Sequence, residues 1–227
     1  LINLLADDEN RYLEFKSSMR WDYRQEKTNP ELEKVILKTL AAFGNTDGGI
    51  LLIGVDDDKN IIGLENDFKT LKKQDSDYYE IHLRNLLHRA MGVKYVSKHI
   101  RTEFETTSDG KMVCKIKVIP GDEPQFLKVK DKSGKQDEKF YVRSGNSSHE
   151  IVSMAEINDY INNTLVKRRF ISRKLILINN STTYAFSLLG KSSLEKEPGN
   201  RLNYQTSLGS PWQFMEVTWL ELTSPSS

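Results

Sequence analysis

The stretch Ala42-Phe43-Gly44-Asn45-Thr46-Asp47-Gly48-Gly49-Ile50-Leu51-Leu52-Ile53-Gly54-Val55-Asp56-Asp57-Asp58 decides the fold. It reads as the end of a helix, a glycine turn, a wholly apolar strand and a carboxylate cluster at the strand's end. Gly44 reads as the C-terminal stop of the helix. Residues 50–55 are apolar at every non-glycine position, which suits a central strand covered on both faces. Asp56-Asp57-Asp58-Lys59-Asn60 makes a good turn into a short strand over residues 61–64.

Working outward, Asn29-Pro30 predicts a helix start with proline at the first helical position. Leu32, Val35, Ile36, Leu40 and Phe43 then follow at helical spacing. Upstream, residues 12–18 alternate as a strand does. Leu13 and Phe15 point one way, and Tyr12, Glu14 and Lys16 the other. Downstream, a helix is expected over 78–91 and strands near 98–107, 111–119, 125–131 and 138–143. Turns are expected at Ser108-Asp109-Gly110 and Lys132-Ser133-Gly134-Lys135. Ser153 and Glu156 form a capping box for a last helix through Ile157, Tyr160, Ile161 and Leu165. The pattern is α+β, a mixed β-sheet with flanking helices. After about Phe170 periodicity fades, apart from a possible strand at Leu175-Ile176-Leu177-Ile178. The expected division is a domain over 1–168 and a weakly ordered extension over 169–227.

The 227 residues carry a formal net charge of +1. No global field therefore draws in nucleic acid, and any such contact must come from local patches. One cysteine, Cys114, excludes an internal disulfide and a cysteine-rich zinc site. No secretory signal and no membrane-length apolar run is read, so a cytoplasmic protein without a membrane partner is expected.

The candidate chemistry begins with Glu14 and Lys16, two apart on one strand face. Such a pair recurs in metal-dependent nucleases, where the carboxylate holds a divalent cation and the lysine orients water or phosphate. Glu9 lies five residues before Glu14, and Asp57 follows the central strand. Together Glu9, Glu14 and Asp57 offer three hard oxygen ligands suited to Mg²⁺ or Mn²⁺. The competing reading is a solvated strand face and an ordinary acidic turn. Residues 45–49 either let backbone amides approach a phosphate or simply turn the chain. No Gly-Lys-Ser/Thr follows, which argues against a nucleotide-hydrolysing P-loop. Arg143 ends a strand before Ser144-Gly145-Asn146-Ser147-Ser148 and either holds a phosphate or pairs with a carboxylate. Lys128, Lys130 and Lys132 alternate on one strand, with Lys135 and Lys139 near. Lys167-Arg168-Arg169 and Arg173-Lys174 follow the last helix. These patches either bind a nucleic-acid backbone or protect a solvated edge.

The ordered motifs resemble the Schlafen AlbA-type domain family. The likeness rests on Glu9-x4-Glu14-Phe15-Lys16-Ser17-Ser18, Ala42-Phe43-Gly44-Asn45-Thr46-Asp47-Gly48-Gly49, Leu52-Ile53-Gly54-Val55-Asp56-Asp57, Ile62-Gly63-Leu64 and Tyr141-Val142-Arg143-Ser144-Gly145. It covers roughly residues 5–165. Gly44 departs from an alanine common in the family. In Schlafen nucleases the corresponding carboxylates form a metal-dependent site that cleaves structured RNA, notably tRNA. The resemblance therefore implies an endoribonuclease with Glu9, Glu14 and Asp57 as metal ligands and Lys16 beside them. Arg143 and the lysines of residues 128–139 would grip the backbone. Two departures stand against it. The zinc site of animal Schlafens cannot be built from one cysteine, and their paired lobes would here require a homodimer. Other relatives are described as DNA-binding or ATP-binding regulators, so a non-catalytic DNA-binding module is the alternative.

Overall fold

The computed structural model describes residues 1–130, 134–168, 195–196 and 202–203. Helix α1 (Ile2–Leu5) precedes strand β1 (Leu13–Lys16). A small hairpin, β2 (Trp21–Asp22) with β3 (Lys27–Thr28), leads into α2 (Glu31–Asn45) and β4 (Gly49–Ile53). Then come α3 (Glu65–Lys69), α4 (Ser76–Met91), α5 (Val93–His99), β5 (Ile100–Thr106) and β6 (Met112–Val118). Strands β7 (Phe126–Lys130), β8 (Gln136–Ser144) and β9 (Ser147–Ile151) follow, and α6 (Met154–Tyr160) continues as a π-helical segment, Ile161–Leu165.

The chain divides into two units, Leu1–Ile171 and Ser172–Ser227. In the second, β10 (Glu195–Lys196) pairs antiparallel with β11 (Leu202–Asn203). The possible strand at 175–178 lies outside the described residues, as does most of the expected extension. Among the described residues no helix is long and apolar enough to cross a membrane.

Besides the β2–β3 hairpin, the first unit holds two larger sheets. The four-stranded sheet has the order β1-β4-β6-β5, parallel between β1 and β4 and antiparallel elsewhere. The mixed sheet is the expected one. Strand β4 lies inside it, and its two faces serve two apolar clusters. Leu51 and Ile53 join the main core with Leu40, Phe43, Leu83 and Ile116, while Leu52 packs with Leu13, Phe15 and Val113. Partly buried Leu4 and Leu5 of α1 cover that second face. A strand buried on both sides must be apolar throughout, which is why its run is unbroken.

The second sheet, β7-β8-β9, packs on α2 by one face, where Leu127 and Tyr141 enter the main core. On its other face Phe140 and Val142 pack against Ile157 of α6. Asn45, at the end of α2, joins helix to sheet. Its Nδ2 donates to Gln125 O and Tyr141 O, both at 2.9 Å, and its Oδ1 accepts the Gln125 amide at 2.8 Å. Thr46 Oγ1 accepts the Arg143 amide at 2.8 Å and donates to Ala42 O at 2.8 Å.

Several expectations shift. Gly44 does not stop α2, which continues to Asn45. A Cβ at Gly44 would sit 1.7 Å from Tyr95 Oη, so the glycine admits a tyrosine from α5. The strand expected over 61–64 is a single bridge, Val55 with Ile61. The small residues after Arg143 form a hairpin, with Ser144 ending β8, Gly145 and Asn146 turning, and Ser147 and Ser148 opening β9. The helix at 78–91 starts earlier, where Asp75 accepts the Tyr78 amide at 2.7 Å. Helices α3 and α5 and the β2–β3 hairpin are too short for a periodic signal.

Asn45→Ala removes three buried hydrogen bonds and leaves their backbone partners unsatisfied. It is expected to lower the unfolding free energy by about 3 kcal/mol. Urea denaturation measures this, and a loss below about 1 kcal/mol would mean that the sheet docks on α2 without the amide.

Candidate active site and nucleic-acid interface

Because β1 and β4 are parallel, their C-terminal ends share one edge of the sheet. Alternation along β1 sends Leu13 and Phe15 into one apolar cluster. Glu14 and Lys16 then face the α2 side, where β8 lies.

Glu14 is buried there between two cations. Its Oε1 accepts Lys16 Nζ at 2.6 Å, and its Oε2 accepts Arg143 Nη2 at 2.5 Å. The Arg143 side chain is 1% exposed. It also donates to Asn10 O at 2.8 Å and lies 4.8 Å from the centre of the Phe43 ring. Arg143 Nε is buried without a hydrogen-bond partner among the described residues. Of the two roles offered for Arg143, the structure shows the carboxylate pairing. The alternation of β8 turns Arg143 inward beside Tyr141, away from any surface phosphate.

Glu9 joins this edge through the backbone, its Oε1 accepting the Phe15 amide at 2.7 Å. Lys16 Nζ donates to the Phe15 carbonyl at 2.7 Å. Glu9, Glu14 and Lys16 are thus gathered around one residue. Asp57 is not part of this group. Asp56 organises the acidic turn, accepting the amides of Asp58 at 3.0 Å and Asn60 at 2.8 Å, and leaves Asp57 exposed at the tip. A Lys59–Asp8 ion pair at 2.6 Å holds that turn to the segment before β1.

Among the described residues no three His, Cys, Asp or Glu side chains are placed to hold a metal ion. As arranged, Glu9, Glu14 and Asp57 do not fit a three-carboxylate Mg²⁺ or Mn²⁺ centre. Both oxygens of Glu14 already face cations, and one of Glu9 holds an amide.

The glycine turn is also committed inward. The amides of Thr46 and Gly48 donate to Phe43 O at 3.2 and 2.9 Å. Gly48 has φ +77°, and a Cβ there would lie 2.6 Å from Val118 O. These positions serve close packing.

The basic strand is less basic than its spelling. Lys128 is exposed but stands opposite Glu138, and Lys139 pairs with Glu150 at 2.9 Å. Lys130 pairs with Gln136 through its backbone; Lys132 lies outside the described residues.

Asp67 is a residue the sequence reading missed. It is 2% exposed and accepts the Ser18 hydroxyl and the amides of Met19, Arg20 and Trp21, the last three at 2.8 to 3.0 Å. Burial pushes its pKa up, against the lowering by those donors. It anchors the exit of β1, so Ser18 of the motif is structural. No local signal marks Asp67, because its partners lie 46–49 residues away. Cys114 is fully buried, and burial pushes its thiol up.

The family model described as Schlafen, AlbA_2 matches residues 9–152, more than half of the chain. No curated protein matches the chain at a significant level.

Arg143→Met would leave the Glu14 carboxylate with Lys16 alone in a buried setting. A stability loss of about 3–5 kcal/mol is expected. Much of it should be recovered in the double variant with Glu14→Met, since that removes the unpaired charge as well. A double-mutant cycle by chemical denaturation measures the coupling, and equal additive losses would show that the two groups do not act as a pair.

Proposed function

Because the chain belongs to the Schlafen AlbA_2 family, we propose that it is a nucleic-acid-binding domain. We propose as its finer activity the cleavage of structured RNA such as tRNA at the edge formed by Glu9, Glu14 and Lys16. The observation that supports cleavage is the gathering of two carboxylates and a lysine around Phe15 at the end of a parallel strand pair. A lysine beside carboxylates supplies positive charge for a phosphoryl oxygen and acceptors for a proton. Asp57 enters this reading from the family likeness, at the exposed tip of the neighbouring turn.

The second reading is a non-catalytic DNA-binding or regulatory module. One observation favours it: both oxygens of Glu14 are engaged by Lys16 and Arg143, the arrangement of a structural ion pair. Nucleotide binding at residues 45–49 has less support, because amides of that turn bond within the fold. A two-lobed groove would need a second copy of this domain, which the mass of the protein in solution tests.

A mixed tRNA pool, incubated with the full chain in Mn²⁺ or in EDTA, separates the readings. For a nuclease, cutting is expected to fall at least about 100-fold in Glu9→Gln and Asp57→Asn, with tRNA affinity retained. These two substitutions spare the buried Glu14 pair. Binding without cutting would establish the non-catalytic reading. Failure of the folded protein to bind tRNA or duplex DNA at low salt would overturn the proposal as a whole.

A further inference from the structure

Arg143 is buried against Glu14 and Lys139 is paired with Glu150, whereas other cations are held at the surface with donors to spare. We infer that Arg11 and Arg168, arranged around Asp47 beside Tyr12, form the grip for the sugar–phosphate backbone. The inference rests on the nucleic-acid reading above and adds the surface that makes the contact.

Asp47 receives a guanidinium on each carboxylate oxygen. Arg11 Nη2 meets Oδ2, and Arg168 Nη2 lies 3.4 Å from Oδ1. Two cations share one anion, so the cluster keeps an excess positive charge, and exposed Lys167 adjoins it in the chain. The group is open to water: the Arg11 side chain is 47% exposed, Asp47 34% and Arg168 23%.

The two forks are held in place before any ligand arrives. Arg168 Nη1 donates to Gly121 O at 2.8 Å. The Arg11 guanidinium lies 5.1 Å from the centre of the Tyr12 ring. The turn that carries Arg11 is fixed as well, since Tyr12 N donates to Asn10 Oδ1 at 2.8 Å. Each guanidinium has five N–H donors in a planar fork. Among the described residues Arg11 commits one nitrogen to a hydrogen bond, and Arg168 commits two. The remaining donors suit bidentate contact with a phosphate, and arginine held in this way loses little freedom on binding.

The cluster also adjoins the candidate site. Asn10, next to Arg11, gives its carbonyl to Arg143, the partner of Glu14. One turn therefore connects the grip to the edge that carries Glu9, Glu14 and Lys16. Asp47 is the internal competitor for both arginines. Replacing it with a neutral residue frees them for phosphate, an effect opposite to that of removing a merely structural bond.

The test is the salt dependence of tRNA-pool binding by the full chain, wild type against Arg11→Ala, Asp47→Asn and, as control, Lys34→Ala at an exposed position of α2. Thermal melts verify that each variant folds. Arg11→Ala is expected to weaken binding about fivefold or more and to reduce the slope of log affinity against log salt by about 1. Asp47→Asn is expected to tighten binding by about threefold, and Lys34→Ala to change little. If Asp47→Asn does not fold, Arg11→Ala decides alone. Wild-type affinity and slope in folded Arg11→Ala would overturn this grip while leaving nucleic-acid binding intact. Absence of wild-type binding would overturn both.

Discussion

The amide of Asn45 is the joint on which the arrangement depends. It lies where α2 ends, fully buried, and both its donors and its acceptor are used by the backbone at Gln125 and Tyr141. Buried peptide groups that lack a partner are costly, so a side chain that satisfies three of them has little positional freedom. Apolar packing alone lets a sheet slide over a helix. Directed hydrogen bonds at the helix end choose one position, and Thr46 repeats the lesson one residue later at the Arg143 amide.

That docking creates the electrostatic centre. Strand β8 brings Arg143 over Phe43 and against Glu14, while β1 brings Lys16 to the other Glu14 oxygen. A carboxylate and a guanidinium removed from water lose much solvation, which their attraction offsets only in good geometry. Here the geometry includes a second cation and the carbonyl of Asn10. The same edge that resembles a catalytic site is thus also part of the junction between two sheets. Exposed charges behave differently. Asp47 with its two arginines remains in reach of solvent, where ions exchange partners easily.

Much of the scaffold was legible because it depends on local pattern. The apolar run of β4, the alternation of β1 and the helical spacing before Phe43 each express burial that a neighbour of any identity would demand. The proximity of Glu9, Glu14 and Lys16 was legible too, since they lie within eight residues of one another on a strand and its approach. Gly44 misled for a physical reason: glycine ends helices by its backbone freedom, yet it also appears where a side chain from elsewhere needs the space. Tyr95, supplied by α5, needs that space here.

The sequence by itself determined the α+β class, the covered central strand, the main helices and, through its ordered motifs, the family. Those features arise from periodicity and short spacing, which a linear chain records directly. Only the tertiary structure decided which charges pair. It turned Arg143 inward to Glu14, left Asp57 at the tip of a turn, set Glu138 opposite Lys128 and placed Asp67 under Ser18. These choices depend on strand register and on contacts between distant segments. No local spacing encodes the partner of a charge when that partner lies 129 residues away, as Arg143 does from Glu14.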